Sequence, residues 1–188
     1  DNAYPTIQEA MNEASSYDEI WIAEGTYYPG NSREDTFNIK SYITVYGGFD
    51  GTETSVSQRD IEAHPTILSG NFAQTEDRLD DAYHVVTYYP TLYFEPTTID
   101  GLTIQNGYAN NSGITDGENG AGILHKNGDL TLNNCTLYMN YASNEGGGIH
   151  TAWDDLFIND CIFLSNSAAK EGGGLYAEAS NVEVNRTT

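Results

Sequence analysis

Between Asn119 and Thr188 the chain repeats itself with a step of 26 residues. Asn-Gly-Ala-Gly-Ile at 119–123, Glu-Gly-Gly-Gly-Ile at 145–149 and Glu-Gly-Gly-Gly-Leu at 171–175 mark one point of three successive units. Leu130, Leu156 and Val182 keep the step, as do Leu132, Ile158 and Val184. So do Cys135 and Cys161, Leu137 and Phe163, Asn140 and Asn166, and Ala142 and Ala168. A fixed period of this size marks a solenoid, in which no unit can bury its apolar face alone.

Within a unit the apolar residues alternate. Leu130-Thr131-Leu132 and Leu156-Phe157-Ile158 read as short strands, Cys135-Thr136-Leu137 and Cys161-Ile162-Phe163 as a second set, and Ile123, Ile149 and Leu175 as members of a third. Three short strands per unit, separated by Gly, Asn and Asp, fit one coil of a parallel β-helix. No unit carries a helical stripe. Stacked coils lie ~4.8 Å apart, so equivalent residues form ladders. Gly122, Gly148 and Gly174 then stack at a corner that needs positive φ or close backbone approach. Asn140 and Asn166 read as turn formers that tolerate the left-handed region and pair their amides along the axis. Cys135 and Cys161 fall on one rung position of adjacent coils, as a stacked thiol pair or a disulfide. Two cysteines without a nearby His are too few ligands for a metal.

The repeat extends backwards. Leu102 to Ala109 matches Cys135 to Ala142 at an offset of 33, so an excursion of seven extra residues is expected within 110–118. The period is clearest in 97–188, and 31–188 is expected to form the coils, about seven in the whole chain. Residues 1–30 read as the N-terminal cap and first strand. Thr6-Ile7-Gln8-Glu9 has a capping-box pattern, and Ile7, Ala10, Met11 and Ala14 make one apolar helix face. The expected fold is therefore all-β, a right-handed parallel β-helix solenoid with an amphipathic cap helix. Thr187 falls where a third Cys would stand, so the chain reads as part of a longer polypeptide.

Tyr4 to Ala10, Ile20 to Tyr27, Tyr46 to Glu53 with Arg59-Asp60, and Thr66 to Gly70 together resemble secreted bacterial β-helix proteins of the pectate-lyase-like superfamily. More narrowly they resemble large surface proteins of Bacteroidetes. The Gly-Gly-Gly-Ile and Phe163-Leu164-Ser165-Asn166 elements resemble the repeats of chlamydial polymorphic outer-membrane proteins. The resemblance implies a secreted or cell-surface location. Its fold serves lyases, hydrolases and passive adhesins alike.

Seven Lys and Arg stand against 28 Asp and Glu, a net charge of −21. That excludes nucleic acid, which requires a basic footprint, and anionic lipid. No apolar run spans a membrane. The expected role is a structural or adhesive module, a stalk or filament unit, with glycans or other protein subunits as partners and self-assembly through the open β-helix end. The alternative is a polysaccharide lyase or glycoside hydrolase acting on acidic glycans. Related lyases use carboxylates with an Arg or Lys base, yet Lys126 forms no basic ladder and Arg78 sits in an acidic loop. Asp154, Asp155 and Asp160 read as turn residues before catalytic ones. No catalytic residue is assigned. Asp116 and Glu118 share a loop with hard oxygen donors that suit calcium. Of the 14 tyrosines, Tyr88, Tyr89, Tyr93 and Tyr176, with Trp153, are expected outward as ligand-binding faces.

Overall fold

In the computed structural model, which describes residues 3–90 and 95–188, the chain winds as a parallel β-helix behind one short helix. Sheet 1 stacks six strands: Glu19–Ala23, Thr44–Phe49, Thr97–Asp100, Leu130–Asn133, Leu156–Asn159 and Val182–Asn185. Sheet 2 stacks Gly25–Tyr27, Thr66–Ser69, Leu102–Gln105, Thr136–Tyr138 and Ile162–Leu164. Sheet 3 stacks Phe37–Asn38, Val86–Tyr88, Ile123–Lys126, Ile149–Ala152 and Leu175–Glu178. Two-residue strands at Tyr108–Ala109, Tyr141–Ala142 and Ser167–Ala168 make a small sheet 4.

The 26-residue step is the strand register. Leu132 faces Ile158, and Ile158 faces Val184. One coil earlier the partner of Leu132 is Ile99, at the offset of 33, and the extra residues form the turn-rich loop at 110–118. Val45, Ile99, Leu132 and Ile158 thus form one inward column, each at most 1% exposed. Burying such a side chain contributes about 1.5–3 kcal/mol, and each coil supplies the cover for the next.

The corners repeat as faithfully as the strands. Asn127, Trp153 and Ala179 all have positive φ, as do Asn134, Asp160 and Arg186, and Gly120, Gly146 and Gly172. The first glycine of each triplet therefore carries the left-handed turn. Gly122 and Gly148 answer to crowding instead: a Cβ on Gly122 would lie 2.4 Å from the Gly148 carbonyl oxygen, and one on Gly148 equally close to that of Gly174. The left-handed role expected of Asn140 and Asn166 falls one residue earlier, on Met139 and Ser165. The asparagines point inward. Asn140 is fully buried; its Nδ2 donates to the Ile104 carbonyl at 3.1 Å and to Asn166 Oδ1 at 3.0 Å, while its Oδ1 accepts from the Gly107 N–H at 2.9 Å. A second amide ladder, Asn133, Asn159 and Asn185, runs along sheet 1 with 3.0 Å bonds.

The cap helix spans Ile7–Glu13, with Thr6 Oγ1 accepting the Glu9 N–H at 3.1 Å. Ile7 and Met11 are buried, and Ala10 and Ala14 pack beside them. Lys40 Nζ donates to the Asn12 and Ala14 carbonyls, where cations suit a helix C-terminus. Three arginines pin the loops to the coils. Arg33 donates to the carbonyls of Asp81 and Tyr108, Arg59 to those of Gly47 and Asp100, and Arg78 to those of Gly107 and Met139.

Candidate functional site

The strand Ile123–Lys126 has all four residues buried, as does Ile149–Ala152, so sheet 3 is covered on both faces along these two strands. Ile123 and His125 point inward. Leu124 and Lys126 alternate with them, and Lys126 meets the 110–118 loop at Asp116. Lys126 is only 6% exposed, and its ammonium donates to Asp116 Oδ2. The same Nζ lies 5.1 Å from the Trp153 ring centroid and 5.9 Å from that of Tyr89. A buried cation is thus offset by one carboxylate and two aromatic faces.

Those two rings form the accessible part of the site. Trp153 is 45% exposed and Tyr89 51%. Trp153 takes φ 72° at a corner where Asn127 and Ala179 take 59° and 49°. A bulky side chain in that region is costly, so Trp153 stands out from its ladder. One coil on, His150 stacks against Tyr176 with centroids 5.2 Å apart, and its Nε2 lies 3.8 Å from Glu145. Burial, then the Lys126 charge, lowers the His150 pKa. Glu145, with burial and the carboxylates of Glu171 and Glu178, raises the pKa of Tyr176.

Tyr88 is not an outward face. It is fully buried, stacked on His125 at 5.6 Å, and its hydroxyl donates to the Glu95 carbonyl. The reason is parity: Val86 pairs with inward Ile123, so Tyr88 pairs with inward His125. Tyr93 lies outside the described residues. Tyr176 is half-buried against His150.

Asp116 and Glu118, the carboxylates expected to suit calcium, each have a partner within the protein. Asp116 accepts from Lys126, and Glu118 Oε1 accepts from Ser143 Oγ at 3.1 Å. Among the described residues no three His, Cys, Asp or Glu side chains gather as a metal-ligand set.

The catalytic alternatives fare similarly. The Arg78 guanidinium reaches Asp81 Oδ2 at 3.3 Å and two carbonyls, which ties it to the coil. Asp154 is buried and accepts the Gly128 N–H at 2.8 Å, and burial, then the neighbouring Asp154 charge, raises the pKa of Asp129. Asp160 pairs with Arg186 in two bonds of 2.6 and 2.5 Å.

Sequence reasoning missed Lys126 as the centre of the aromatic pair and missed His150. Trp153 stands one step beyond Asn127, so its nearness to Lys126 is readable from the period. The Asp116 contact crosses a loop that has no periodic counterpart.

Residues 160–178 are similar to the Chlamydia polymorphic membrane protein repeat. That stretch runs from the turn before Ile162–Leu164 through the third glycine triplet into Leu175–Glu178. It is a small part of the chain, and with the stacked parallel sheets it fits a β-helix. No curated protein and no solved structure matches the chain. No helix of the described residues is long and apolar enough to cross a membrane.

Proposed function

We propose that this chain is an extracellular or cell-surface β-helix module that holds a rigid adhesive face toward glycans. The observation that carries the reading is the Tyr89–Trp153 pair, two exposed rings each within 6 Å of the Lys126 ammonium. Aromatic faces take the apolar side of a sugar ring at little conformational cost, because the coil has already ordered them. The local similarity to a repeat of membrane proteins supports the surface location. The test is a glycan array probed with the protein and with a Tyr89→Ala, Trp153→Ala double variant. At least a tenfold loss of the bound signal is expected; unchanged binding by the variant would overturn the reading.

The lyase or hydrolase alternative finds little support. A lyase needs a base beside carboxylates, whereas the two bases considered from the sequence are engaged, Arg78 with the Gly107 and Met139 carbonyls and Lys126 with Asp116. A glycosidase needs two carboxyls about 5 Å or more apart across a substrate, whereas Asp154 is buried on the Gly128 N–H and Asp160 is paired with Arg186. Incubation with polygalacturonate and calcium should give no unsaturated product; steady absorbance growth would restore the enzyme reading.

Subunit stacking is a second proposal. The last rung presents Ile162, Leu164 and Val184, each about half exposed, along unpaired sheet edges. Sedimentation that reports a concentration-independent monomer would contradict it.

A further inference from the structure

The opposite end of the helix carries a different feature. Among the described residues the strand Glu19–Ala23 pairs on one side, with Thr44–Phe49, and Gly25–Tyr27 on one side, with Thr66–Ser69. The cap helix does not cover this edge fully. A cleft of about 500 Å³ remains, lined by Ile7, Ala10 and Ala14 of the helix side and by residues 18–23 of the strand. Inward Ile20 and Ile22 and outward Glu19 and Trp21 all line it, so the cleft runs along the strand's free edge. Tyr27 donates its hydroxyl to the Ala23 carbonyl at 3.0 Å, which closes the edge at that end.

The two walls differ. The inner wall is aliphatic. The outer wall is the Trp21 ring, 37% exposed and stacked on Phe49 at 4.8 Å with the planes 5° apart. Glu13, Asp18, Glu19 and Glu53 also line the cleft, and no Lys or Arg does.

We propose that this edge binds an extended segment of another protein in which aliphatic and basic residues alternate. Such a segment adds one strand below Glu19–Ala23, its backbone pairing with the free edge. Its aliphatic side chains enter between Ile7 and Ile20. Its Lys or Arg side chains lie over Trp21 and beside Glu19 and Glu53. A second copy of this chain supplies no such alternating segment. No two of its seven cations lie within six residues of each other, and Arg33, Lys40, Arg59, Arg78, Lys126 and Arg186 are already engaged.

The probe is a labelled seven-residue peptide of alternating lysine and valine, capped at both ends. Its control has the same composition in two blocks, lysines then valines. Anisotropy should show the alternating peptide binding at least tenfold more tightly than the block peptide. The Glu19→Lys, Glu53→Lys double variant, with its melting temperature as a check on folding, should weaken the alternating peptide at least tenfold. Methylating alternate amide nitrogens of the peptide should abolish binding, because the edge pairing is lost. In a Trp153→Phe background, binding should shift the Trp21 emission. Equal affinity for the two peptides would reduce the effect to net charge and overturn the proposal, as would no binding of either.

Discussion

The Cys135 N–H donates to the sulfur of Cys161, 3.4 Å away in the next coil. Cys161 repeats the arrangement upward, its N–H donating to Thr187 Oγ1 at 3.3 Å. At each level the side chain also donates to the carbonyl two residues before it: Cys135 to Asn133, Cys161 to Asn159, and Thr187 to Asn185, at 3.0–3.2 Å. The position selects a small side chain that both donates and accepts, which is why Thr can follow two Cys. Both thiols are free and buried, and the Cys161 hydrogen bond, with burial, raises the pKa of Cys135 well above its ordinary value. Cys161→Thr should therefore cost less than about 1 kcal/mol. Cys161→Ala, which strips the buried Cys135 N–H of its acceptor, should cost about 1–3 kcal/mol. Urea unfolding of both variants checks the difference.

Asn140 is the polar core residue with the most at stake. It bonds the Ile104 carbonyl, the Gly107 N–H and the Asn166 amide at once. Asn140→Leu should destabilise by about 3 kcal/mol or more, since two buried backbone groups lose partners. Asn140→Asp should do at least as much damage near neutral pH, since its carboxylate would face the Ile104 and Asn166 oxygens.

Asp81 sets a pH dependence. Burial pushes its pKa up to about 6 against the ordinary 3.8, although Arg78 holds one oxygen; Oδ1 is buried without a partner. Between about pH 4 and 6 the folded chain keeps a proton that the unfolded chain has released. Stability from this group therefore falls as pH rises through that window, and the full penalty stands above it. Asp81→Asn should stabilise the protein at pH 8 by on the order of 1–2 kcal/mol and have a much smaller effect near pH 3.5. Melting curves at the two pH values test this.

Trp153 is expected to trade stability for contact. Its left-handed backbone costs about 1–2 kcal/mol, and its ring returns about 0.5–1 kcal/mol over Lys126. Trp153→Asn, which restores the residue type of the rung below, should change stability by less than about 1 kcal/mol while removing glycan binding. A loss above 3 kcal/mol, typical of a core aromatic, would assign the ring to packing instead.

The coil was legible because Leu130, Leu156 and Val182, with the glycine triplets, state the register outright. The cap helix was legible because Thr6 and Ile7, Ala10, Met11 and Ala14 follow local rules. Tyr88 was misplaced because Tyr88-Tyr89 is an unbroken aromatic pair, whose inward member is set by pairing with Ile123 and His125. The Asn140 ladder was visible as a ladder, but which residue takes positive φ depends on where the strand ends: it stops at Tyr138, and Met139 takes the turn. The Lys126–Asp116 contact lies beyond pattern reading, because a loop inserted once has no second copy to compare. The carbonyl-binding roles of Arg33, Arg59 and Arg78 depend on loop closure in the same way.

The stacking itself can be measured on the outward face of sheet 1, where Thr131, Phe157 and Glu183 succeed one another. Spin labels on Thr131→Cys with Phe157→Cys, and on Thr131→Cys with Glu183→Cys, leave the buried native thiols unlabelled. One rung should separate the first pair, ~5 Å between backbones, and two rungs the second, ~10 Å, with dipolar broadening strong in the first and weaker in the second. Backbone separations beyond ~20 Å for either pair, or the same broadening in both, would contradict a column that advances one coil every 26 residues.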